Sequence, residues 1–262
     1  MAVIVVVPNP DTETGPQRIA AALLSSLRAV RGQVPGADRI KVVEFADLRS
    51  LPEPPAPATE SERIERQLLE GWWGAAVRTG QGRGEPADLP RALGETAHFA
   101  HQPRPPEDTA RELRRYLTDR KFRHELRDRA QACIGPETQV VIGHALGGLI
   151  AYEALCAVSD QAAVSLVTLG PALCGPSVVF DLLDPAPRSN QGEWPASVRH
   201  WSNIVAHTDL TALSESRLTA RFGPGIDDLV IEPHAVTESL NGYLLDRSTG
   251  LAVATGLATE YR

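Results

Sequence analysis

Residues Gln139 to Leu155 read QVVIGHALGGLIAYEAL. An apolar strand over Gln139 to Gly143 runs into the turn Gly143-His144-Ala145-Leu146-Gly147-Gly148, and a helix follows at once. Glycines bracket one central residue. That pattern suits a central residue held in a strained backbone conformation, with flanking positions where only hydrogen fits between a closely packed strand and helix. A nucleophile elbow is built this way and carries serine at its centre; position 145 is alanine.

Working outward, Ala2 to Val7, Ile40 to Phe45, Ser165 to Leu169 and Ser202 to Ala206 are further apolar runs, and Leu229 to Glu232 is a shorter one. Most are continuous rather than alternating, the mark of strands buried on both faces of a parallel sheet. Helical stripes lie between them: Ile19, Leu23, Leu24, Leu27 and Val30 within Gln17 to Val30, and Leu113, Tyr116, Leu117, Phe122 and Leu126 within Asp108 to Ala132. Thr109 with Glu112 reads as a capping box for the latter, and Thr59 with Glu62 as one for a helix through Leu68, Leu69, Trp72 and Trp73. Alternating strands and helices predict an α/β fold, a mainly parallel central sheet with helices on both faces.

The 262 residues are expected to form a single domain, 1–262, interrupted by an irregular lid-like insertion over about 46–107. Leu51 to Ala58 holds four prolines, and Thr79 to Pro106 mixes Gly80, Gly82 and Gly84 with five more prolines. Gly80, Gly82 and Gly84 neither follow a strand nor open a helix, so they make no dinucleotide fingerprint. With 26 basic and 33 acidic residues the net charge is -7, which argues against nucleic acid as a partner. The apolar run Ala2 to Val7 is far below the roughly 20 residues of a membrane span and lacks signal-peptide flanks. Cys133, Cys156 and Cys174 form no C-x-x-C pair, which predicts a reduced, cytoplasmic protein with no metal and no cofactor. Basic charge is almost all arginine, with lysine only at Lys41 and Lys121, as in a GC-rich bacterial genome.

From Gln139 to the C-terminus the chain resembles the α/β-hydrolase family, in particular its lipase- and esterase-like members with a Gly-His-Ser-Leu-Gly elbow. Leu166-Val167-Thr168-Leu169-Gly170, followed by Phe180-Asp181, is similar to the strand after the elbow helix. Trp201-Ser202-Asn203-Ile204 to Asp209 resembles the strand and turn that carry the triad acid, and His234 follows the last strand. The resemblance implies Ala145 in the nucleophile slot, Asp209 as acid and His234 as base. In the family the histidine stands a short step before an aromatic of the final helix; counted back from Tyr243 that step reaches Glu238, so Glu238 is a second candidate for the slot. The oxyanion hole would be built from Leu146 with Pro8 and Asn9, where many relatives carry a His-Gly pair. Pro8 and Pro10 bring no N–H groups there.

An alanine methyl cannot attack a carbonyl, so the acyl-enzyme route is closed in this chain. Two functions follow. In the first, the expected one, the protein is a pseudoenzyme that binds a small acyl or ester-like ligand or a protein partner, or performs non-covalent chemistry in its pocket. In the second it is a serine hydrolase of ester, thioester or amide bonds whose nucleophile has been substituted. His144 reads as structural under the turn, with a catalytic base as the alternative, His234 as the triad base or a surface histidine, and Asp209 either as the partner of His234 or as the cap of a helix from Leu210. His98 and His101 read as solvated loop histidines. Of Trp72 and Trp73, adjacent on a helix, one is expected in the core and the other outside. Arg111 to Arg129, interleaved with acids, reads as a solvated helical face.

Overall fold

The computed structural model describes residues 3–31, 33–53, 58–158, 164–213, 217–232 and 239–258. Six strands, β1 (Ile4–Val7), β2 (Ile40–Val42), β3 (Val140–His144), β4 (Val164–Leu169), β5 (Val198–Ala206) and β6 (Ile226–Ile231), form one sheet in the order β2-β1-β3-β4-β5-β6. Every pairing is parallel, with Val7 beside Gly143, His144 beside Leu169 and Leu169 beside Ile204. The chain leaves β1 for β2 on one side and returns to β3 on the other. The strand order therefore reverses between β1 and β3, where open α/β sheets form a crevice at their carboxyl ends.

Ten helices surround the sheet among the described residues: α1 (Pro16–Val30), α2 (Ala58–Arg78), α3 (Leu89–Gly94), α4 (Pro106–Thr118), α5 (Arg120–Gln131), α6 (Leu146–Cys156), α7 (Ser177–Asp181), α8 (Leu218–Phe222), α9 (Leu240–Leu245) and α10 (Arg247–Ala258). Successive strand residues point to opposite faces, so each strand feeds two cores. Ile4, Val6, Ile142, Val167 and Ile204 meet α1, α9 and α10 on one face. Val5, Val7, Val141, Leu166 and Trp201 meet α2, α4, α5 and α6 on the other. This is why the strand runs are apolar throughout. No helix among the described residues is long and apolar enough to cross a membrane.

Two sequence expectations need correction. The helix read over Asp108 to Ala132 is two helices, because the Asp119 side chain accepts the amides of Lys121 and Phe122, both at 3.1 Å, and starts a new helix. Neither capping box stands. α4 begins at Pro106 with Pro105 as its cap, Glu112 turns to Arg104 instead, and Thr59 lies inside α2, which begins at Ala58. The stretch 46–107 contains the helix expected through Leu68 to Trp73, here the 21-residue α2, together with the short α3 and a 3-10 turn at Phe99–His101. Trp72 is buried, whereas Trp73 is half-buried and its indole N–H donates to the Gly84 carbonyl at 2.9 Å.

One polar knot anchors the elbow helix from behind. Glu153, fully buried on α6, accepts from Tyr116 Oη at 2.7 Å, from Arg123 Nε at 2.8 Å and from the Asp184 amide at 3.2 Å. A buried carboxylate survives only with its lone pairs filled, and here α4, α5 and the segment after α7 fill them.

Candidate functional site

Ala145 joins β3 to α6 with φ 51° and ψ -123°. An L-residue rarely adopts this geometry, and such a position costs on the order of 1–3 kcal/mol unless the surroundings impose it. They do. The Ala145 amide donates to the Leu169 carbonyl at 3.1 Å, and its own carbonyl accepts from Gly148 and Ala172, both at 3.0 Å. A Cβ on Gly143 would stand 2.6 Å from the Gly148 Cα, and one on Gly147 would collide with the Val7 and Pro8 carbonyls. The glycines thus let β1, β3 and α6 approach as the sequence pattern predicts.

Ala145 opens onto a cavity of about 710 Å³ at the switch point. Asp209, buried after β5, lines the same cavity. Its Oδ2 accepts from Tyr243 Oη at 2.9 Å and its Oδ1 from the Thr211 amide and hydroxyl at 3.1 and 2.7 Å. Space for the carboxylate comes from Gly170 (φ 48°), where a Cβ would strike Asp209 Oδ2 and lie 2.7 Å from Tyr243 Oη. Asp209 therefore caps a turn rather than a helix from Leu210, and it lines the cavity. His144 is buried on the cavity wall with its ring 5.7 Å from that of Tyr243. His234 and Glu238 lie outside the described residues.

The loop after β1 brings an acceptor rather than a donor to the elbow. Asn9 Oδ1 accepts the Leu146 amide at 3.2 Å, while its Nδ2 donates to Asp11. Pro8 instead packs its carbonyl against Gly147. Beyond Asp11 the network continues into the cavity wall, where Arg104 binds Asp11 and Glu112, both at 2.8 Å. Burial, followed by the Asp11 charge, pushes the Glu112 carboxyl up to about 7 against the opposing pull of Arg104 and Asn9. Burial opposes charging of Arg104, but its two carboxylate partners hold its pKa above the ordinary arginine value.

Sequence reasoning missed His98. It is buried, not solvated, lines the cavity, and sets Nδ1 3.8 Å from Asp209 Oδ1. His101 is exposed, with Nδ1 2.9 Å from the Ala97 carbonyl. Nothing local distinguishes the two, and His98 is drawn inward by contacts to residues far away in sequence. None of the three cysteines is among the described residues that line this cavity, and burial raises the Cys174 thiol strongly and pushes Cys156 up to about 12. Among the described residues no group of three or more His, Cys, Asp or Glu side chains is arranged to hold a metal ion. Compared with protein-family models, curated proteins and solved structures, the chain matches none.

Proposed function

We propose that this protein is a binding protein on an α/β-hydrolase-like frame, which takes a small acyl or ester-like molecule into the cavity beside Ala145 and forms no acyl-enzyme. The observation that carries this reading is the elbow itself: a strained left-handed residue at the head of a cavity of about 710 Å³, bearing a methyl where a nucleophile would stand. Two further features support it. The Leu146 amide, a donor that would meet a substrate oxyanion, is engaged by Asn9 Oδ1, and Pro8 has no amide hydrogen to add. The three cysteines are all unpaired thiols, which suits the reducing cytoplasm in which we place the protein.

The retained elbow backbone at Ala145 favours a second reading, a serine esterase- or lipase-like hydrolase whose nucleophile has been substituted. One experiment decides between them. The chain and its Ala145→Ser variant are treated with a fluorophosphonate and assayed for a burst on short and long p-nitrophenyl esters, with binding of the unreactive ketone 2-undecanone followed by thermal shift. Our reading expects the ketone to stabilise the chain, and both proteins to remain unlabelled and free of a burst. Loss of a triad nucleophile costs on the order of a millionfold in rate. A labelled, bursting Ala145→Ser protein would therefore be unmistakable and would establish the second reading.

A further inference from the structure

His98 reaches the cavity from the long β2–β3 connection, outside the part of the chain that carries the elbow motif. Its placement is controlled at three points. The His98 backbone amide donates to Gln81 Oε1 at 3.1 Å, and Gln81 Nε2 donates to the Thr208 carbonyl at 3.0 Å, so one glutamine fastens His98 to the residue preceding Asp209. Phe99 stands edge-on to the imidazole at 4.6 Å between centroids and packs on Trp72 at 5.6 Å, which fixes the ring from the side. Asp209 Oδ1 lies 3.8 Å from Nδ1, with both side chains about 95% buried: 4% and 5% exposed. At 3.8 Å the carboxylate is beyond hydrogen-bond reach of the ring, yet in this buried setting it stabilises the positive charge that the imidazole carries while it holds a transferred proton.

We propose that His98, facing the Asp209 carboxylate at ion-pair distance, is the proton-transfer residue of this cavity and that it supports slow, non-covalent hydrolysis of activated esters. The proposal rests on the acyl-ligand reading above and deepens it. Water attacks the ester carbonyl carbon and its proton passes to the His98 imidazole. The C–O bond to the leaving group then breaks, and the leaving oxygen takes the proton from His98, or leaves as the anion while His98 returns the proton to solvent. Ester and water become carboxylic acid and alcohol, the imidazole is restored, and no bond to the protein is formed. Asp209 acts through His98 and is a positioning residue.

The test uses the full chain and p-nitrophenyl acetate. We expect saturable release of p-nitrophenol without a burst, reduced about 100-fold in His98→Ala, in line with general-base contributions of about 10²–10⁴. The exposed-histidine variant His101→Ala should match the wild type. His98→Gln, which keeps a polar side chain of similar reach, carries the same test where the alanine variant fails to fold. Asp209→Asn should lower the rate, and the double variant with His98→Gln should fall no further than His98→Gln alone. In Asp209→Asn the loss should fall on kcat with KM unchanged, a split that a merely structural disturbance of the cavity would not give. Unchanged turnover in a folded His98→Gln protein overturns the proposal, as does additive loss in the double variant. Stabilisation by 2-undecanone with no turnover overturns it too, while leaving the binding reading in place. Turnover above the buffer rate with neither saturation nor dependence on His98 places the reaction elsewhere on the chain and overturns it as well.

Discussion

Replacing Ala145 by glycine isolates the energy held in the elbow. The backbone at φ 51°, ψ -123° costs on the order of 1–3 kcal/mol for an L-residue and almost nothing for glycine. Against that relief stand about 0.5–1 kcal/mol of extra chain entropy lost by glycine on folding and about 0.4 kcal/mol for a half-buried methyl. The balance favours the variant by about 1 kcal/mol, equivalent to a rise of about 2–4 °C in Tm for a chain of this size. The control is Ala21→Gly on the exposed face of α1, where the backbone is ordinary and glycine should cost about 1 kcal/mol. The assay is urea unfolding followed by tryptophan fluorescence, with midpoints compared at equal m-value. The two variants should move in opposite directions, about 2 kcal/mol apart by the preceding balance of strain and propensity. If Ala145→Gly falls as far as Ala21→Gly, the elbow carries no strain, and the argument that surrounding glycines and hydrogen bonds impose it fails.

Further outcomes follow from the same geometry. Gly147→Ala should destabilise by about 1–3 kcal/mol, because the new Cβ meets the backbone carbonyls of Val7 and Pro8, which cannot rotate aside; a Tm within a degree of wild type would refute this close approach. Glu153→Ala leaves Arg123, Tyr116 Oη and the Asp184 amide without their buried acceptor and should cost about 3–5 kcal/mol in chemical denaturation. Glu112 gives a pH signature. A carboxyl raised from 4.5 to about 7 confers stability that is fully present below the lower value and lost as the pH climbs through the upper one. Glu112→Gln should therefore flatten the decline in Tm between about pH 5 and about pH 8, and an unchanged slope would show that Glu112 titrates as a solvated carboxyl.

The fold was legible because burial on both faces leaves a one-dimensional trace. Val140 to Ile142 and Leu166 to Val167 are apolar without interruption since alternate residues feed opposite cores. β5 starts at Val198, ahead of the apolar run from Ser202, because Arg199 and His200 at its start are exposed or half-buried and break the pattern. The break at Asp119 was hidden for the opposite reason: the apolar stripe stays in phase across it, and only the hydrogen bonds to Lys121 and Phe122 show that the helix ends. At the site, Ala145 and Asp209 lie next to strand ends that local pattern can mark. Arg104 and Glu112 reach the site through contacts such as Asp11 to Arg104, 93 residues apart, and His98 through Gln81 and Asp209, for which no local window carries a signal.

This difference has a consequence for how the cavity works. Ala145 and Asp209 are fixed by strand register, with His144 beside Leu169 and Leu169 beside Ile204, so their spacing is set by the same contacts that hold the sheet together. His98, Trp72, Arg104 and Glu112 come from the β2–β3 connection, which packs over the carboxyl ends of those strands. Gln81 ties this connection to the turn of Asp209 through hydrogen bonds at both ends of its amide, to His98 and to Thr208. Changes within the sheet should therefore act mainly through stability, whereas, on the function proposed above, changes within the connection should act on ligand choice and proton transfer. Gln81→Ala is the substitution that separates these roles: it removes three side-chain hydrogen bonds at the periphery of the core, to Thr79, Thr208 and His98, leaves β3 to β5 untouched, and should displace His98 from Asp209 at little cost in Tm. A folded Gln81→Ala protein whose p-nitrophenyl acetate turnover equals that of wild type would show that the clamp does not position His98.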